Sequence, residues 1–388
     1  MAEVARSSRR FRVGERLELA VSAIAHGGES IARFDGWVFF VRYAIPGEQI
    51  IAEITQVGKS FHRADAVEII TPSPDRTRPR CQYFHPGGCG GCDFQHITLN
   101  RQRELKSQVI TEQFKRVAKI DLSIPVAPVI GLAQENEPGF HYRTRLSLHI
   151  NDDGRAGFHK ARSHEVLPIN ECVVVAENLQ LKEVLAKSYV GISQVHIPDQ
   201  MRTEQVVIRG KSYQFQVSRE SFWQGHVKAA EVLGQAALDI LQPGSGERAL
   251  DLYGGVGLFG KLLADYGAQV EIIESSESAV RDGIANLRDF PNARYHHGDV
   301  AQKIDEIDSA DIVLLDPPRS GAEFEVLRKI ATLDPRAICY ISCDPASLAR
   351  DCARLGELGY EIDSASAYDL FPQTAHIECV FSFRRVIS

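Results

Sequence analysis

One stretch of this chain leaves few folds open. Asp251-Leu-Tyr-Gly-Gly-Val-Gly-Leu-Phe-Gly260 sets a run of glycines between an apolar strand candidate, RALDLY, and a helical pattern. Glycines at a strand-to-helix turn let backbone amides approach a ligand closely, and the helix N-terminus behind them favours polar or anionic groups. From about residue 216 the chain alternates strand candidates (RALDLY, QVEIIE, ADIVLLD, AICYIS) with helical stretches such as SAVRDGIANLRDF and PASLARDCARLGELG. Strands separated by helices pair in parallel, with helices on both faces of the sheet. The closing IECVFSFRR reads as one more strand, suited to an antiparallel position. Residues 216–388 are therefore expected to form an α/β domain around an open, mostly parallel sheet.

The remainder needs its own domains. A length of 388 residues allows two or three at ~150 residues each. Hydrophobic residues at 44% and charged residues at 24% argue against global disorder. No apolar run approaches the ~18 residues that would span a bilayer. The basic start MAEVARSSRRFRVG has no apolar stretch behind it, unlike a secretory signal. A soluble, cytoplasmic protein without membrane contact is expected. Residues 11–70 read as short strands (ERLELAVSAIA, WVFFVRYA, EQIIAEITQV, FHRADAVEII) punctuated by Gly27-Gly28, Gly36 and Pro46-Gly47. That pattern predicts a small OB-like β-barrel over 1–72, followed by a linker in TPSPDRTRPR. A mixed α+β domain is expected over 73–215. Its helix lies around 98–118, with Arg101, Arg103, Lys106, Lys115 and Arg116 at exposed positions, and YRTRLSLHI and EQVVIRG are strand-like. Residues 1–120 carry 18 Lys and Arg against 13 Asp and Glu; the rest carries 26 against 38. A basic third on an acidic body suits a polyanionic partner or a scattered, solvated surface.

Within the α/β region, Gly255, Gly257 and Gly260 satisfy G-x-G-x-x-G, and Glu274 ends the next strand where a carboxylate would take a ribose diol. NAD and S-adenosylmethionine sites use the same parts. Three acids favour the methyl donor. Asp251 precedes the glycines, Asp299 in HHGDV follows the third strand region near an adenine edge, and Asp316 opens Asp316-Pro-Pro-Arg319 at the sheet's carboxyl edge. Cys343, in Ile-Ser-Cys-Asp-Pro, lies between a strand and a helix N-terminus. Such a helix end is expected to lower its pKa and make it nucleophilic; the alternative is core filling. Cys339, Cys352 and Cys379 suit core positions. Glu378, opening the last strand, is a candidate base opposite Cys343, and His376 a structural or orienting residue. Cys81, Cys89 and Cys92, two of them in C-G-G-C, with Cys172 further on, suit a cubane iron–sulfur cluster or a zinc ion.

Jointly, DLYGGVG, LLDPPRSG, ISCDPASLARD and the terminal His376-x-Glu378 resemble the RNA uracil-5-methyltransferase family, in its iron–sulfur, TRAM-bearing 23S rRNA branch, over nearly the whole chain. The resemblance implies a TRAM barrel that binds RNA over the first 70 residues and a class I, Rossmann-like methyltransferase domain over 216–388. It implies a [4Fe–4S] site on Cys81, Cys89, Cys92 and Cys172. By similarity Cys343 is the nucleophile and Glu378 the general base. Gln224 (in Ser-Phe-Trp-Gln), Tyr253, Glu274 and Asp316 match positions that bind the donor or orient the uracil, alongside Gly255, Gly257 and Asp299. The implied reaction adds a thiolate to uracil C6, methylates the enolate at C5, removes the C5 proton and eliminates the enzyme, on a base splayed out of its RNA. Three positions depart from the family pattern: the Cys81–Cys89 gap is longer, His226 stands in place of Asn, and Leu258 in place of a polar residue. The tRNA T-loop is the other expected target, and a monomer the expected state. An NAD-dependent oxidoreductase would leave DPPR, SCDP and the barrel unexplained. A non-catalytic RNA-binding protein would leave the edge thiol unexplained.

Overall fold

The computed structural model describes residues 9–131 and 135–386. The N-terminal strands β1 (Arg16–Ile24), β2 (Ser30–Phe34), β3 (Trp37–Arg42), β4 (Gln49–Val57) and β5 (His62–Thr71) close a barrel in the order β1-β2-β3-β5-β4. Alternation drives it: along β1, Leu17, Leu19 and Val21 point inward between exposed neighbours. They meet Phe39, Val41, Ile50 and Ile54 in a core of the barrel's own. Strand β2 is the one the sequence pattern did not single out. It is short, and Ser30 occupies an inward position, donating its hydroxyl to Ala44 O at 2.8 Å.

Helix α1 (Leu99–Gln113) continues into a π-helical turn over Phe114–Ala118 and leads to β6 (Val126–Pro128). Its buried positions, Gln102, Leu105, Lys106, Val109, Ile110 and Gln113, recur at helical spacing. Lys106 corrects the expectation of an exposed residue: its ammonium is buried against Asp369 at 2.6 Å. Three polar side chains on the inward stripe hide the helix's buried face from a hydropathy reading.

Next come β7 (Leu146–Ile150), β8 (Ala156–His159), β9 (Val166–Pro168), the short α2 (Leu181–Leu185) and β10 (Gln194–Ile197). These four strands form a small sheet, β10-β7-β8-β9, over a modest core of Leu146, Leu148, Ile169 and Val175. A hairpin follows, β11 (Arg202–Ile208) with β12 (Lys211–Val217).

The remaining elements alternate: α3 (Ala229–Leu241), β13 (Arg248–Leu252), α4 (Leu258–Asp265), β14 (Gln269–Glu274), α5 (Glu277–Asn286), β15 (Ala293–His297), α6 (Val300–Lys303), β16 (Ile312–Leu315), α7 (Phe324–Leu333), β17 (Ala337–Ser342), α8 (Pro345–Glu357), β18 (Tyr360–Asp369) and β19 (Glu378–Arg385). They build one sheet in the order β15-β14-β13-β16-β17-β19-β18-β6, with β19 antiparallel to both neighbours, as expected of the last strand. The chain winds outward from β13 to β15, then restarts beside β13 at β16. Open α/β sheets bind ligands beyond the carboxyl ends of the strands at such a reversal.

Packing divides the chain differently from the expected 73–215 and 216–388 units. Leu105, Val109, Ile110, Phe114 and Val126 share a core with β17, β19 and α8. Val206, Ile208, Phe215 and Val217 share the core on the sheet's other face. The large α/β unit thus recruits α1, β6 and the β11–β12 hairpin, and the small four-stranded sheet stands alone between them. Among the described residues, no helix is long and apolar enough to cross a membrane.

Candidate active site

The carboxyl ends of β13, β14, β16 and β17 and the amino end of the antiparallel β19 border a cleft of about 1220 Å³, whose opposite wall is the small central sheet. Its sheet-side lining includes Tyr253, Gly255, Glu274, Asp299, Asp316 and Gln224, with Cys343 and Glu378 at the other end.

The glycine turn is built for close approach. Gly255 has φ 53°, and a Cβ there would meet nothing within 4 Å. Its amide donates to Glu274 Oε2 at 2.9 Å, which fixes the carboxylate ending β14 against the turn. Tyr253 itself lies in the left-handed region at φ 62°, a strained conformation of the kind that collects at functional sites. Asp299 caps α6, accepting from Ala301 N at 3.0 Å, and keeps its face to the cleft. Two expected contacts sit elsewhere. Gly257 is not on the cleft wall: a Cβ there would run into Tyr295 Oη at 2.7 Å and Leu287 at 2.9 Å, so packing requires the glycine. Asp251 lies fully buried beneath the turn, where burial raises its pKa to about 8 against the opposing pull of the Gly260 amide.

At the other end, Ser342 pairs with Cys379 across the antiparallel β17–β19 ladder. The next residues out, Cys343 and Glu378, therefore face each other at the sheet edge. Burial raises Glu378 well above the usual carboxylate range; the charge of Asp316 adds to this and Arg319 opposes it. Asp316 is also raised by burial, against a hydrogen bond from Gln224. Cys343 is pushed up to about 11, first by burial and then by Glu378 and Asp316. This corrects the expectation of a thiol acidified by the helix end. The first amides of α8 are already taken, because Asp344 Oδ1 accepts from Ala346 N at 3.0 Å and Ser347 N at 2.8 Å. Cys352 is buried on the inner stripe of α8, and Cys339 and Cys379 lie inside the sheet, as expected. His376 receives a hydrogen bond from Arg319 Nη2 at 3.2 Å.

Several positioning residues had no motif to announce them. The segment 371–375, just ahead of His376 and Glu378, is held by distant parts of the chain. Lys106 Nζ donates to Phe371 O at 3.0 Å, and Tyr142 Oη to Pro372 O at 2.9 Å. Gln102 Oε1 accepts from Gln373 N at 2.8 Å, and Asp93 Oδ2 from Ala375 N at 3.0 Å. Thr144 Oγ1 donates to Gln224 O at 2.7 Å, fixing the Ser221–Gln224 loop. The cleft is also lined by Arg143, Arg145, Lys160 and Arg162 from the central region and by Arg202 and Arg219 at the ends of the β11–β12 hairpin. These cations are scattered over some eighty residues of sequence, which is why no basic cluster is visible there.

Comparison with known proteins decides what this arrangement belongs to. The family profile for tRNA (uracil-5-)-methyltransferase matches residues 301–386, and that for the TRAM domain matches residues 10–67. A Streptomyces coelicolor protein described as an uncharacterized RNA methyltransferase is 36% identical, covering 95% of this chain and 92% of its own. The chain belongs to the RNA uracil-5-methyltransferase family. A second member described as an RNA methyltransferase, from Bdellovibrio bacteriovorus, is 33% identical over 96% of each chain. The fold of this methyltransferase is shared by the Pyrococcus abyssi tRNA (uracil-54, C5)-methyltransferase, solved with S-adenosyl-L-homocysteine. That match has a TM-score of 0.69 and 22% identity, covering 94% of this chain and 99% of that one.

The methyltransferase's other four cysteines lie on a seam. Cys81 and Cys92 pack on the barrel core, Cys172 on the small sheet. Cys89 makes an isolated bridge to Lys160, and Gly90 N donates to His159 O at 3.1 Å. All four are free thiols. The donors suit a sulfur-ligated group, since Gly91 N approaches Cys89 Sγ at 3.4 Å and Gln95 Nε2 approaches Cys92 Sγ at 3.3 Å. The spacing does not: among the described residues, no three His, Cys, Asp or Glu side chains are grouped to hold a metal ion.

Proposed function

We propose that this enzyme methylates C5 of a uracil in 23S rRNA through a covalent bond between Cys343 Sγ and uracil C6. The observation that carries the reading is the facing of Cys343 and Glu378 at the β17–β19 edge, in one cleft with the glycine turn and Glu274. S-adenosylmethionine, when bound, supplies an electrophilic methyl group. The residues present fit it: Glu274 suits a ribose diol, Asp299 the adenine edge, and Tyr253 and Gly255 border open space between them. Gly257 and Asp251 support the turn from behind.

The chain's own groups then divide the work. Asp316 and Gln224, facing each other, orient the uracil by its polar edge. Cys343 must lose its proton before sulfur adds to C6, because the thiolate is the nucleophile. The resulting enolate carries the charge to C5, which takes the methyl group. Glu378 removes the C5 proton, and the C6–S bond breaks to release the product. The cleft's basic wall suits the phosphates flanking a base turned out of its RNA. The proposal extends to a monomeric enzyme in the cytoplasm, where thiols such as Cys343 stay reduced.

No step passes through the other four cysteines, since methyl transfer from a sulfonium moves no net electrons. For them we propose a structural [4Fe–4S] cluster on Cys81, Cys89, Cys92 and Cys172, tying barrel to central sheet, for which the four thiols must draw closer together than they stand in this structure. Anaerobically purified protein should then contain iron and sulfide and bleach on oxidation; stoichiometric zinc, or no metal, would overturn this.

Transfer of tritium from methyl-labelled S-adenosylmethionine to purified 23S rRNA and tRNA tests the function. Label recovered as 5-methyluridine in 23S rRNA is the expected result. Label confined to tRNA would move the target to the T-loop, a reading favoured by the family profile's name. No label in either RNA would overturn the proposal.

A further inference from the structure

The turn between β1 and β2 leaves the barrel and ends inside the catalytic machinery. It is a tight turn: Ala25 N donates to Glu29 O at 2.7 Å and Gly28 N to Ala25 O at 3.0 Å. Gly27 and Gly28, at φ 95° and 85°, occupy the left-handed region. Contacts from three of its residues seat it. His26 Nε2 meets Asp344 Oδ2 at 3.0 Å, beside Cys343. Gly28 lies so near the other catalytic loop that a Cβ would come within 2.6 Å of Ala375 Cβ. Glu29 pairs both with Arg63 of the barrel and with Arg162 on the cleft's basic wall.

We propose that this turn is a positioning element for the reaction, in which His26 holds Asp344, and through it the turn that presents Cys343, at a set distance from the Glu378 loop. The division of labour at Asp344 supports it. One carboxylate oxygen caps α8 through two amides, and the other is left for His26. The residue that begins the helix after the nucleophile is thereby tied to a different domain. On the far side, Gly28 packs against Ala375, whose amide is anchored to Asp93. The turn is wedged between the loops of nucleophile and base. Misplacing a reacting group by even an ångström costs rate steeply, on the order of a hundredfold. The barrel therefore acts on catalysis as well as on RNA capture.

The inference rests on Cys343 as the nucleophile, and its test separates the two. Single-turnover methylation at saturating RNA and donor is compared with RNA and donor Kd for wild type, His26→Ala and His26→Gln. The glutamine amide nitrogen can replace the donor at the position of Nε2. The alkylation rate of Cys343 by iodoacetamide, read by mass spectrometry, is measured in the same proteins without substrate. His26→Ala should slow the single turnover by roughly tenfold or more, change both Kd values less than about twofold, and alter the alkylation rate. His26→Gln should recover most of each. An unchanged turnover and alkylation rate in folded His26→Ala overturns the proposal, as does a rate loss accounted for by weaker RNA binding. If Cys343→Ala retained wild-type methylation, the reading of the nucleophile would fail instead, and the alkylation rates would still decide whether the turn positions Cys343.

Discussion

Cys343 sits among groups that oppose its ionisation. With burial, Glu378 and Asp316 holding it near 11, the thiolate fraction at pH 7 is on the order of one in ten thousand. Only the thiolate reacts, so the sign of the pH dependence follows. Iodoacetamide alkylation of Cys343 should rise about tenfold per pH unit above 7 and level off only well into the alkaline range. The Glu378→Gln variant removes the carboxylate whose charge raises the thiol, so alkylation in the alkaline range, where Glu378 is ionised, should be faster than in wild type. A rate already flat at pH 7 would contradict this electrostatic picture. Protection of the thiol in the free enzyme also has a use, since an idle thiolate is open to oxidation.

At the scale of the element, α1 shows how much catalytic order depends on one helix outside the sheet. Lys106 joins Asp369, at the end of β18, to the backbone of Phe371. Burial lowers its pKa, and Asp369 opposes that shift. Removing one partner strands the other's charge in the core, so Lys106→Ala should cost about 3–5 kcal/mol in urea unfolding. The double change Lys106→Met with Asp369→Leu should recover most of the loss; a loss under about 0.5 kcal/mol in Lys106→Ala would contradict the account. This element also marks where sequence reading stops. Strands β13, β14, β16, β17 and β19 were legible because continuous apolar runs between glycine turns have few other uses. Cys343, Glu274 and Asp316 stood out because they end such strands, and Glu378 because it opens the last one. Lys106 and Gln102 did not: a charged or amide side chain on a helix reads as solvated until its partner, more than 250 residues away, is in place. Strand β18 (YEIDSASAYD) was missed because most of its residues are polar or small and half-exposed. The thiol's raised pKa was missed because Asp344 occupies the helix end that Cys343 was expected to use.

Over the whole molecule, the central sheet and the α/β unit wall the cleft, and the barrel reaches the loops beside it through His26 and Gly28. Basic side chains line the cleft, and Arg219 is exposed among them. If it meets an RNA phosphate, Arg219→Gln should weaken RNA binding and reduce the slope of log Kd against log salt by about one, leaving donor affinity unchanged. An unchanged slope would put the RNA path elsewhere. The central claim is the bond between Cys343 and the RNA, formed when all three parts hold the substrate. It is tested most directly by mixing Glu378→Gln enzyme with methyl-labelled donor and RNA, denaturing the mixture and mapping the linked nucleotide by mass spectrometry. Addition and methyl transfer precede proton removal, so a methylated uridine should be found on Cys343. The adduct should be absent from Cys343→Ala and unaffected by Cys352→Ala. Free turnover by Glu378→Gln without a trapped species, or an adduct on a different cysteine, would contradict the account.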